Sequence, residues 1–254
     1  MIRVDRVETL PAEELKFLTD MMSSTGFKNW KDEAKEGWDA LQTNPNLAFG
    51  VRVFKGHLVA LQLPACGLSG KVPESVGQCK FLEKLNLNSN RSGEKGAKKD
   101  QGLTGSIPTS IGQCERLVRL DLSENAMDGS LPAALGELKQ LDGLYLSDNR
   151  FGGALPAELA GAERLQYLYV GDNALVECVP EAYAAGLRQL KHLVAFGNRL
   201  TGDVPPGLAS LPKLEVLWLF QGEQETQWTT KTADAHPTCL QGATQELLGE
   251  ALWY

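Results

Sequence analysis

The sequence lacks the long apolar runs and the nucleotide-binding motifs that mark two large classes of protein. None of its 254 residues belongs to an uninterrupted apolar stretch of about 18 residues, so no transmembrane helix is expected. It contains no phosphate-binding loop, no protein-kinase signature and no G-x-G-x-x-G motif. The formal net charge of −7 argues against nucleic acid or an anionic membrane surface as a partner.

Histidine is also scarce, and its scarcity limits the possible chemistry. The three histidines, His57, His192 and His236, fall in different parts of the chain. The segment His236-Pro-Thr-Cys239 is either a nucleophile or metal site or a chance pairing in a polar tail, and no further ligands flank it. The sequence therefore predicts a protein that is not an enzyme and that has no catalytic residue, metal or cofactor.

What the sequence does contain is a repeated leucine pattern. Residues 117–125 and 141–149 both read L-x-x-L-x-L-x-x-N, and the two copies start 24 residues apart. Each copy continues with an apolar residue, a glycine and then Leu-Pro. A fixed period of this length is typical of repeat proteins, in which each copy forms one structural unit. The first leucine of the pattern recurs at Leu58, Leu82, Leu117, Leu141, Leu165, Leu190 and Leu214.

Two departures interrupt this period. The interval from Leu165 to Leu190 is one residue longer, and a segment rich in glycine and lysine, Ser92–Gly102, lengthens the interval that follows Leu82. We expect that segment to be a solvated excursion, with a contact to an acidic partner as the alternative. The closing asparagine recurs at Asn90, Asn125, Asn149, Asn173 and Asn198, while Cys66 and Gly222 take its place in the first and last copies.

The spacing of the leucines determines the local structure. In each L-x-L segment the leucines point to one side of a short strand and the intervening residue points to the other. One strand cannot bury its apolar side alone, but stacked copies can, so neighbouring strands should form a parallel sheet with a spacing of about 4.8 Å. The closing asparagine can both donate and accept, and we expect it to satisfy buried backbone groups of adjacent turns.

The extended pattern L-x-x-L-x-L-x-x-N-x-L-x-G-x-[IVL]-P resembles the plant-type leucine-rich repeat, which occurs in receptor-like kinase ectodomains and in intracellular repeat proteins of protists and algae. The resemblance implies an α/β leucine-rich-repeat solenoid of about seven repeats. This is a right-handed superhelix with a concave parallel sheet and with short strands or single-turn helices outside. The predicted organisation is an N-terminal cap over 1–57, repeats over 58–222 with the insertion 92–102, and a C-terminal cap or tail over 223–254.

The residues before the first repeat have the pattern of such a cap. The apolar positions that follow Pro11 have the spacing of an amphipathic helix. Phe27, Trp30 and Trp38 supply large apolar surfaces among charged residues. A hairpin that turns at Lys55-Gly56 is predicted to lead into the first repeat. A cap of this kind covers the core that a terminal repeat would otherwise expose.

The cysteines favour a reducing compartment. Extracellular members of the family that the repeats resemble carry a cysteine pair in the cap, and here Asn46 and Val53 lie at about those places. Cys79 and Cys114 take a core position that leucine fills in other repeats, so we expect buried thiols rather than a disulfide. The first residues also carry charges where a secretory signal needs an apolar core. The sequence therefore favours a cytoplasmic protein, with an extracellular one as the alternative.

The outward positions of the strands change character along the chain. They are polar in the N-terminal repeats and largely aromatic in the C-terminal ones, and a contiguous row of exposed aromatics usually marks a contact surface. The alternative is that the chain's own tail covers the row, through Leu252 and Trp253. The predicted partner-binding residues are Tyr145, Tyr167, Tyr169, His192, Phe196, Trp218 and Phe220, with Arg119 and Asp121 at the border.

These features predict a non-catalytic interaction scaffold that binds a protein or peptide on its concave face. One alternative is a receptor-like extracellular ectodomain that recognises a peptide or a glycan. Another is an inhibitory or regulatory subunit of an enzyme. The sequence indicates neither the identity of the partner nor the oligomeric state.

Overall fold

Short strands, one or two in each repeat, make up most of the structure. The computed structural model describes residues 9–91 and 102–219. Its helices are α1 (Ala12–Ser24) and α2 (Ala182–Gly186). Numbered along the chain, the strands are β1 (Val51–Phe54), β2 (His57–Gln62), β3 (Lys84–Asn86), β4 (Thr104–Gly105), β5 (Arg119–Asp121), β6 (Ala126–Ser130), β7 (Gly143–Tyr145), β8 (Arg150–Ala154), β9 (Tyr167–Tyr169), β10 (Ala174–Glu177), β11 (His192–Val194), β12 (Arg199–Leu200) and β13 (Val216–Trp218).

The strands form two sheets, and the larger one carries the L-x-L segments. Its order is β1-β2-β3-β5-β7-β9-β11-β13, antiparallel between β1 and β2 and parallel in every later pair. The smaller sheet has the order β12-β10-β8-β6-β4 and is parallel. The parallel stacking that the leucine spacing predicts is therefore confirmed, and the structure is a leucine-rich-repeat solenoid.

Single turns of helix form the outer wall of the solenoid. Proline precedes each turn, where its fixed φ suits the entry to a helix. The repeat with the longer interval has the α-helical turn α2 instead of a 3₁₀ turn. α2 has five residues, as each 3₁₀ turn of the wall has, and the extra residue is Glu181, which separates Pro180 from the turn. The 3₁₀ turns of this wall are Glu74–Gln78, Thr109–Gln113, Ala133–Glu137, Ala157–Gly161 and Pro206–Ser210.

The inward leucines form one continuous core, as their alternation predicts. The side chains of Leu120, Leu144 and Leu168, on three consecutive strands of the larger sheet, are fully buried. Cys79 and Cys114 are buried beside them, and burial raises the pKa of the Cys114 thiol to about 12. Both thiols are therefore uncharged at neutral pH. The cysteines in the described residues, Cys66, Cys79, Cys114 and Cys178, are free, and Cys239 lies outside these residues.

The closing asparagines tie each coil to the preceding one. Nδ2 of Asn149 donates to the carbonyl oxygens of Leu122 (2.9 Å), Leu146 (3.2 Å) and Ser147 (3.2 Å), and Oδ1 accepts from the N–H of Met127 at 3.0 Å. The other four closing asparagines make the same set of bonds. The prediction that these amides satisfy buried backbone of adjacent turns is confirmed.

The cap includes α1 and β1, and β1 pairs in a hairpin with β2, the strand of the first repeat. Phe17, Leu18 and Met21 of α1 are buried, as the amphipathic spacing predicts. The indole rings of Trp30 and Trp38 meet edge to face, with 4.9 Å between their centres. The cap therefore has an aromatic core of its own, continuous with the leucine core of the repeats.

Three polar contacts stabilise this cap. One carboxylate oxygen of the buried Glu14 accepts a hydrogen bond from the N–H of Leu58 at 2.6 Å, and the other lies 2.9 Å from Nδ1 of His57. Oδ1 of Asn46 accepts a hydrogen bond from the N–H of Val53 at 2.7 Å. Asn46 and Val53 are the two positions where the resemblance places a cysteine pair, so a hydrogen bond joins the positions that a disulfide would join.

Some predictions concern residues that the structure does not describe. The insertion falls largely in 92–101 and the C-terminal cap or tail lies in 220–254, so both stay predictions. Within the described ranges, no helix has the length and apolar character needed to cross a bilayer.

Candidate functional site

The outward face of the larger sheet presents side chains in columns, with one residue from each coil. The first column is Lys84, Arg119, Gly143, Tyr167, His192 and Val216. The second column is Asn86, Asp121, Tyr145, Tyr169, Val194 and Trp218. Backbone hydrogen bonds just beyond the strands align a third column, Ser123, Ser147, Gly171 and Phe196.

Aromatic rings in these columns form two groups of contacts between β7 and β13. The rings of Tyr145 and Tyr169 stack with 5.3 Å between centres, and the hydroxyl of Tyr169 lies 2.6 Å from Nδ1 of His192. Further along, Phe196 and Trp218 stack at 4.4 Å. We call the set the aromatic row: Tyr145, Tyr167, Tyr169, His192, Phe196 and Trp218. The predicted site residue Phe220 lies outside the described residues.

The polar border of the row differs in part from the prediction. The guanidinium of Arg119 lies 4.3 Å above the centre of the Tyr145 ring, so Arg119 borders the row as expected. Asp121, expected to face a partner, is 0 % exposed. Its carboxylate accepts hydrogen bonds from Asn88 Nδ2 and the Ser123 N–H, both at 3.3 Å, and from Arg119 at 3.4 Å. The expected partner contact is therefore corrected: Asp121 positions Arg119 and does not reach the solvent.

Burial sets the protonation of the groups in the row. Burial raises the pKa of Tyr169 to about 12, so its hydroxyl is neutral and able to donate at physiological pH. Burial also lowers the pKa of His192, which keeps the imidazole neutral near pH 7. We therefore assign the Tyr169 hydroxyl as the donor to Nδ1 of His192. Nε2 then carries the imidazole proton and lies 3.6 Å from the Glu215 carboxylate.

A row of carboxylates lies beside the third column, at the carboxyl ends of the strands. Glu124, Asp148 and Asp172 stand directly before three of the closing asparagines, and all three are exposed. Their φ angles of 54°, 57° and 50° are left-handed, a conformation that the coil requires at this point. We call these three residues the acidic rim. Sequence analysis missed it, although the position before each closing asparagine marks it.

His57, the other histidine in the described residues, makes structural contacts. His57 holds Glu14 and stacks on the ring of Phe81 with 3.8 Å between centres. Nowhere in 9–91 or 102–219 do three His, Cys, Asp or Glu side chains gather closely enough to hold a metal ion. The His236–Cys239 segment lies outside the described residues.

Comparison with known proteins identifies the fold. No family model matches the chain, and no curated protein matches it. Among solved structures, the complex of PEPR1 with AtPEP1 is 25% identical with a TM-score of 0.72, over 83% of this chain and 28% of that one. Pollen Receptor Kinase 3 is 24% identical with a TM-score of 0.67, over 84% and 97%. The BIR3–SERK2 complex from Arabidopsis thaliana is 27% identical with a TM-score of 0.54, over 74% and 95%.

The likeness is to the fold, which is built from repeated features. The concave parallel sheet, the second sheet, the proline-led outer turns and the asparagine ladder follow the same 24-residue period. The structures that it resembles include receptor-kinase ectodomains, and the chain spans 28% of the length of PEPR1. The chain therefore has the leucine-rich-repeat solenoid fold, and its repeats resemble those of the plant type.

Proposed function

We propose that this protein is a non-catalytic scaffold that binds a protein or peptide on the C-terminal half of its concave sheet. The observation that carries the proposal is the aromatic row, whose rings form two groups, each joined by stacking or hydrogen bonding, and remain partly exposed. Single exposed aromatics are common on protein surfaces. A contiguous apolar patch costs free energy in water, which a partner removes by covering it.

The row also has the properties of a binding hot spot. Tyrosine, tryptophan and arginine are the residues that most often dominate interface energies. The ring contacts and the Asp121–Arg119 contact fix these side chains before a partner arrives, so little side-chain entropy is lost on binding. Truncating a hot-spot residue typically costs about 2 kcal/mol or more of binding free energy.

Similar structures support the same class of function. PEPR1 was solved with AtPEP1 and BIR3 with SERK2, so both are repeat proteins in complex with a partner. The identity of those partners does not transfer, because this chain covers 28% of PEPR1 and shares about a quarter of its residues with either protein. What transfers is the use of this solenoid as a binding surface.

The test is the double substitution Tyr169→Ala with Trp218→Ala. We expect it to abolish recovery of the partner in a quantitative pull-down from source lysate, because Tyr169 is central in the row and Trp218 forms its C-terminal end. The melting temperature should stay close to that of the unchanged protein, since both side chains point away from the core.

A matched control removes two exposed aromatics from the cap, Phe49→Ala with Phe54→Ala, which are 41% and 56% exposed. The control should leave the pull-down unchanged. The proposal is wrong if the row variant binds normally. If that variant also melts at a lower temperature, the row is covered by the chain itself.

A receptor-like extracellular recognition module is the second candidate. The likeness to the PEPR1 chain favours it, whereas the cysteine-free cap favours the cytoplasmic location that the sequence predicts. Both candidates use the same surface and differ in compartment.

Thiol counting separates the two compartments. We expect five alkylated thiols by intact mass after labelling the native-source protein under denaturing, non-reducing conditions, because the chain has five cysteines and all the described ones are free. Recovery of only one or three labelled thiols would show disulfides and favour the extracellular candidate.

A further inference from the structure

His192 is the only imidazole in the aromatic row. The other members of the row are phenols, a phenyl ring and an indole, none of which titrates near neutral pH. Burial raises the pKa of Tyr145 and that of Tyr169, so both phenols stay neutral. Any change in the charge of the row at physiological pH is therefore a change at His192.

Neighbouring strands hold the imidazole in place. From β9, the hydroxyl of Tyr169 lies 2.6 Å from Nδ1, and the ring of Tyr167 meets the imidazole edge to face with 5.2 Å between centres. From the start of β13, the Glu215 carboxylate lies 3.6 Å from Nε2. The neighbour of His192 on β13 itself is the apolar Val216. Each ring nitrogen therefore faces one oxygen, a phenol on one side and a carboxylate on the other.

Three influences set the protonation of His192. Burial is the largest, and it lowers the pKa from its ordinary value of 6.5. The Glu215 carboxylate raises the pKa, and the Lys191 ammonium lowers it. The Glu215 side chain is 64% exposed, so water screens its charge and it offsets only part of the effect of burial. The neutral imidazole is therefore favoured at neutral pH.

Protonation of His192 reverses its hydrogen bond to Tyr169. In the neutral ring Nδ1 accepts from the phenol, whereas in the imidazolium both ring nitrogens are donors. The phenol oxygen must then accept, and its own proton turns away from the imidazole. One proton thus adds a positive charge to the row and also changes the direction in which Tyr169 donates.

We propose that His192 makes the aromatic row sensitive to pH, so that the row binds its partner when the imidazole is neutral and releases it as the imidazole is protonated. His192 then regulates the site of the proposed function, on which this inference rests. A partner that covers the row removes water from it, and burying a charge is costly unless the charge is fully paired. The 3.6 Å distance to Glu215 is longer than a hydrogen bond, so this carboxylate does not pair the charge fully.

Linkage between the proton and the partner gives the direction and size of the effect. If the complex excludes the proton, a protonated row must release one proton for each partner bound. The dissociation constant should therefore be constant above the pKa of His192 and should rise as the pH falls below it. One pH unit below that pKa, the dissociation constant should be about tenfold higher than at neutral pH.

The first measurement needs no partner. The Hε1 resonance of His192 in proton–carbon NMR spectra of the whole chain, assigned by its loss in His192→Asn, should titrate with a midpoint below 6.5. Glu215→Gln should move the midpoint to lower pH, because a charge that favours the imidazolium is removed. Lys191→Gln should move it to higher pH for the opposite reason. A midpoint at or above 6.5, or shifts of the same sign in both variants, overturns the inference.

The second measurement follows the lysate protein whose recovery at neutral pH depends on Tyr169 and Trp218. A titration of the immobilised chain gives its dissociation constant at neutral pH and at one unit below the NMR midpoint. We expect about a tenfold ratio between the two values for the unchanged chain. For His192→Asn, in which Oδ1 takes about the place of Nδ1 and does not titrate, the ratio should be less than about twofold.

The matched control is His236→Gln, which removes an imidazole outside the described residues and should keep the tenfold ratio of about one proton. Every chain is measured at both pH values, so titration of the partner itself affects all of them alike. Equal ratios in the unchanged chain and His192→Asn overturn the inference. Tighter binding of the unchanged chain at the lower pH also overturns it.

The proposed function can survive such a failure. If the Tyr169→Ala, Trp218→Ala variant loses the lysate partner while His192→Asn keeps the pH ratio of the unchanged chain, the row is a docking surface without pH control. If the double variant retains the partner at neutral pH, the proposed function fails and the regulation by His192 fails with it.

Discussion

The two halves of the concave sheet share one core and differ in what they present to solvent. β3 presents Lys84 and Asn86, whereas β9 in the same sheet presents Tyr167 and Tyr169. The inward leucine of each strand is buried in the same way. Because side chains alternate across a strand, the outward set can change completely without altering the inward set. The inward residues of a repeat therefore determine stability and the outward residues determine binding, so substitutions can separate the two properties.

The largest effect on stability is expected from a substitution in the ladder of closing asparagines, which both halves share. Asn149→Ala should lower the free energy of unfolding by about 3 kcal/mol, because several buried backbone groups lose their partner at once. Ser147→Ala, an outward change in the same coil, should alter it by less than about 0.5 kcal/mol. Urea unfolding of both variants measures the difference. Equal losses of stability in the two variants would show that the asparagine ladder does not stabilise the stacking of the coils.

A smaller effect is expected where the two halves meet. Asp121→Asn should cost about 1–2 kcal/mol, because an amide cannot accept from Arg119, Asn88 and the Ser123 N–H as a carboxylate does. Partner binding should also weaken, since Arg119 is no longer held over Tyr145. Asp128→Asn is the exposed control and should change neither property. If Asp121→Asn unfolds like the control, the contacts of Asp121 do not stabilise the fold and its side chain is exposed to solvent.

One coil of the C-terminal half has glutamate at a position where other coils have glycine. Glu177 has a φ of 66° at the position where Gly129 and Gly153 have 79° and 72°. Glu177→Gly should raise the free energy of unfolding by about 0.5 kcal/mol, because relief of strain outweighs the added freedom of the unfolded chain. Cys178→Gly, at the next exposed position, should have the opposite sign. Thermal melts of the two variants give the comparison.

The smallest effect is expected in the N-terminal half. Deleting Ser92–Gly102 restores the 24-residue period and should change the free energy of unfolding by less than about 0.5 kcal/mol, because loop length contributes weakly. The denaturant midpoint of the deletion variant measures it. A loss as large as that of Asn149→Ala would mean that the insertion belongs to the packed structure and that the repeat register is wrong.

The sequence predicts the periodic features of this fold better than its individual side-chain contacts. Leucine spacing gives the sheet, and Asn149 and its equivalents give the ladder, because both follow from a period that every coil obeys. The extra residue near Ala184 is visible in the spacing, but the change from a 3₁₀ to an α-helical turn beside it is not. Buried polar residues such as Glu14 could not be predicted, since their contacts join parts of the chain that no local pattern connects.

The site was predicted in outline for the same reason. Columns of outward residues follow from the period, so the neighbours Tyr145 and Tyr169 could be placed together. The burial of Asp121 could not, because it depends on how far Arg119 and Asn88 reach across the sheet. The acidic rim required knowledge of the turn that follows each strand, which the leucine pattern leaves unspecified.

The hydrogen bond between Asn46 and Val53 gives the cap a folding requirement unlike that of a cystine-closed one. A disulfide acts mainly on the unfolded chain, where it removes loop-closure entropy, and it needs an oxidant to form. The amide contact, 2.7 Å long between residues seven apart, acts only in the folded chain and forms with it. Refolding of this cap is therefore insensitive to added reductant. It also proceeds without a slow oxidation step, in the time that the packing of Trp30 and Trp38 takes.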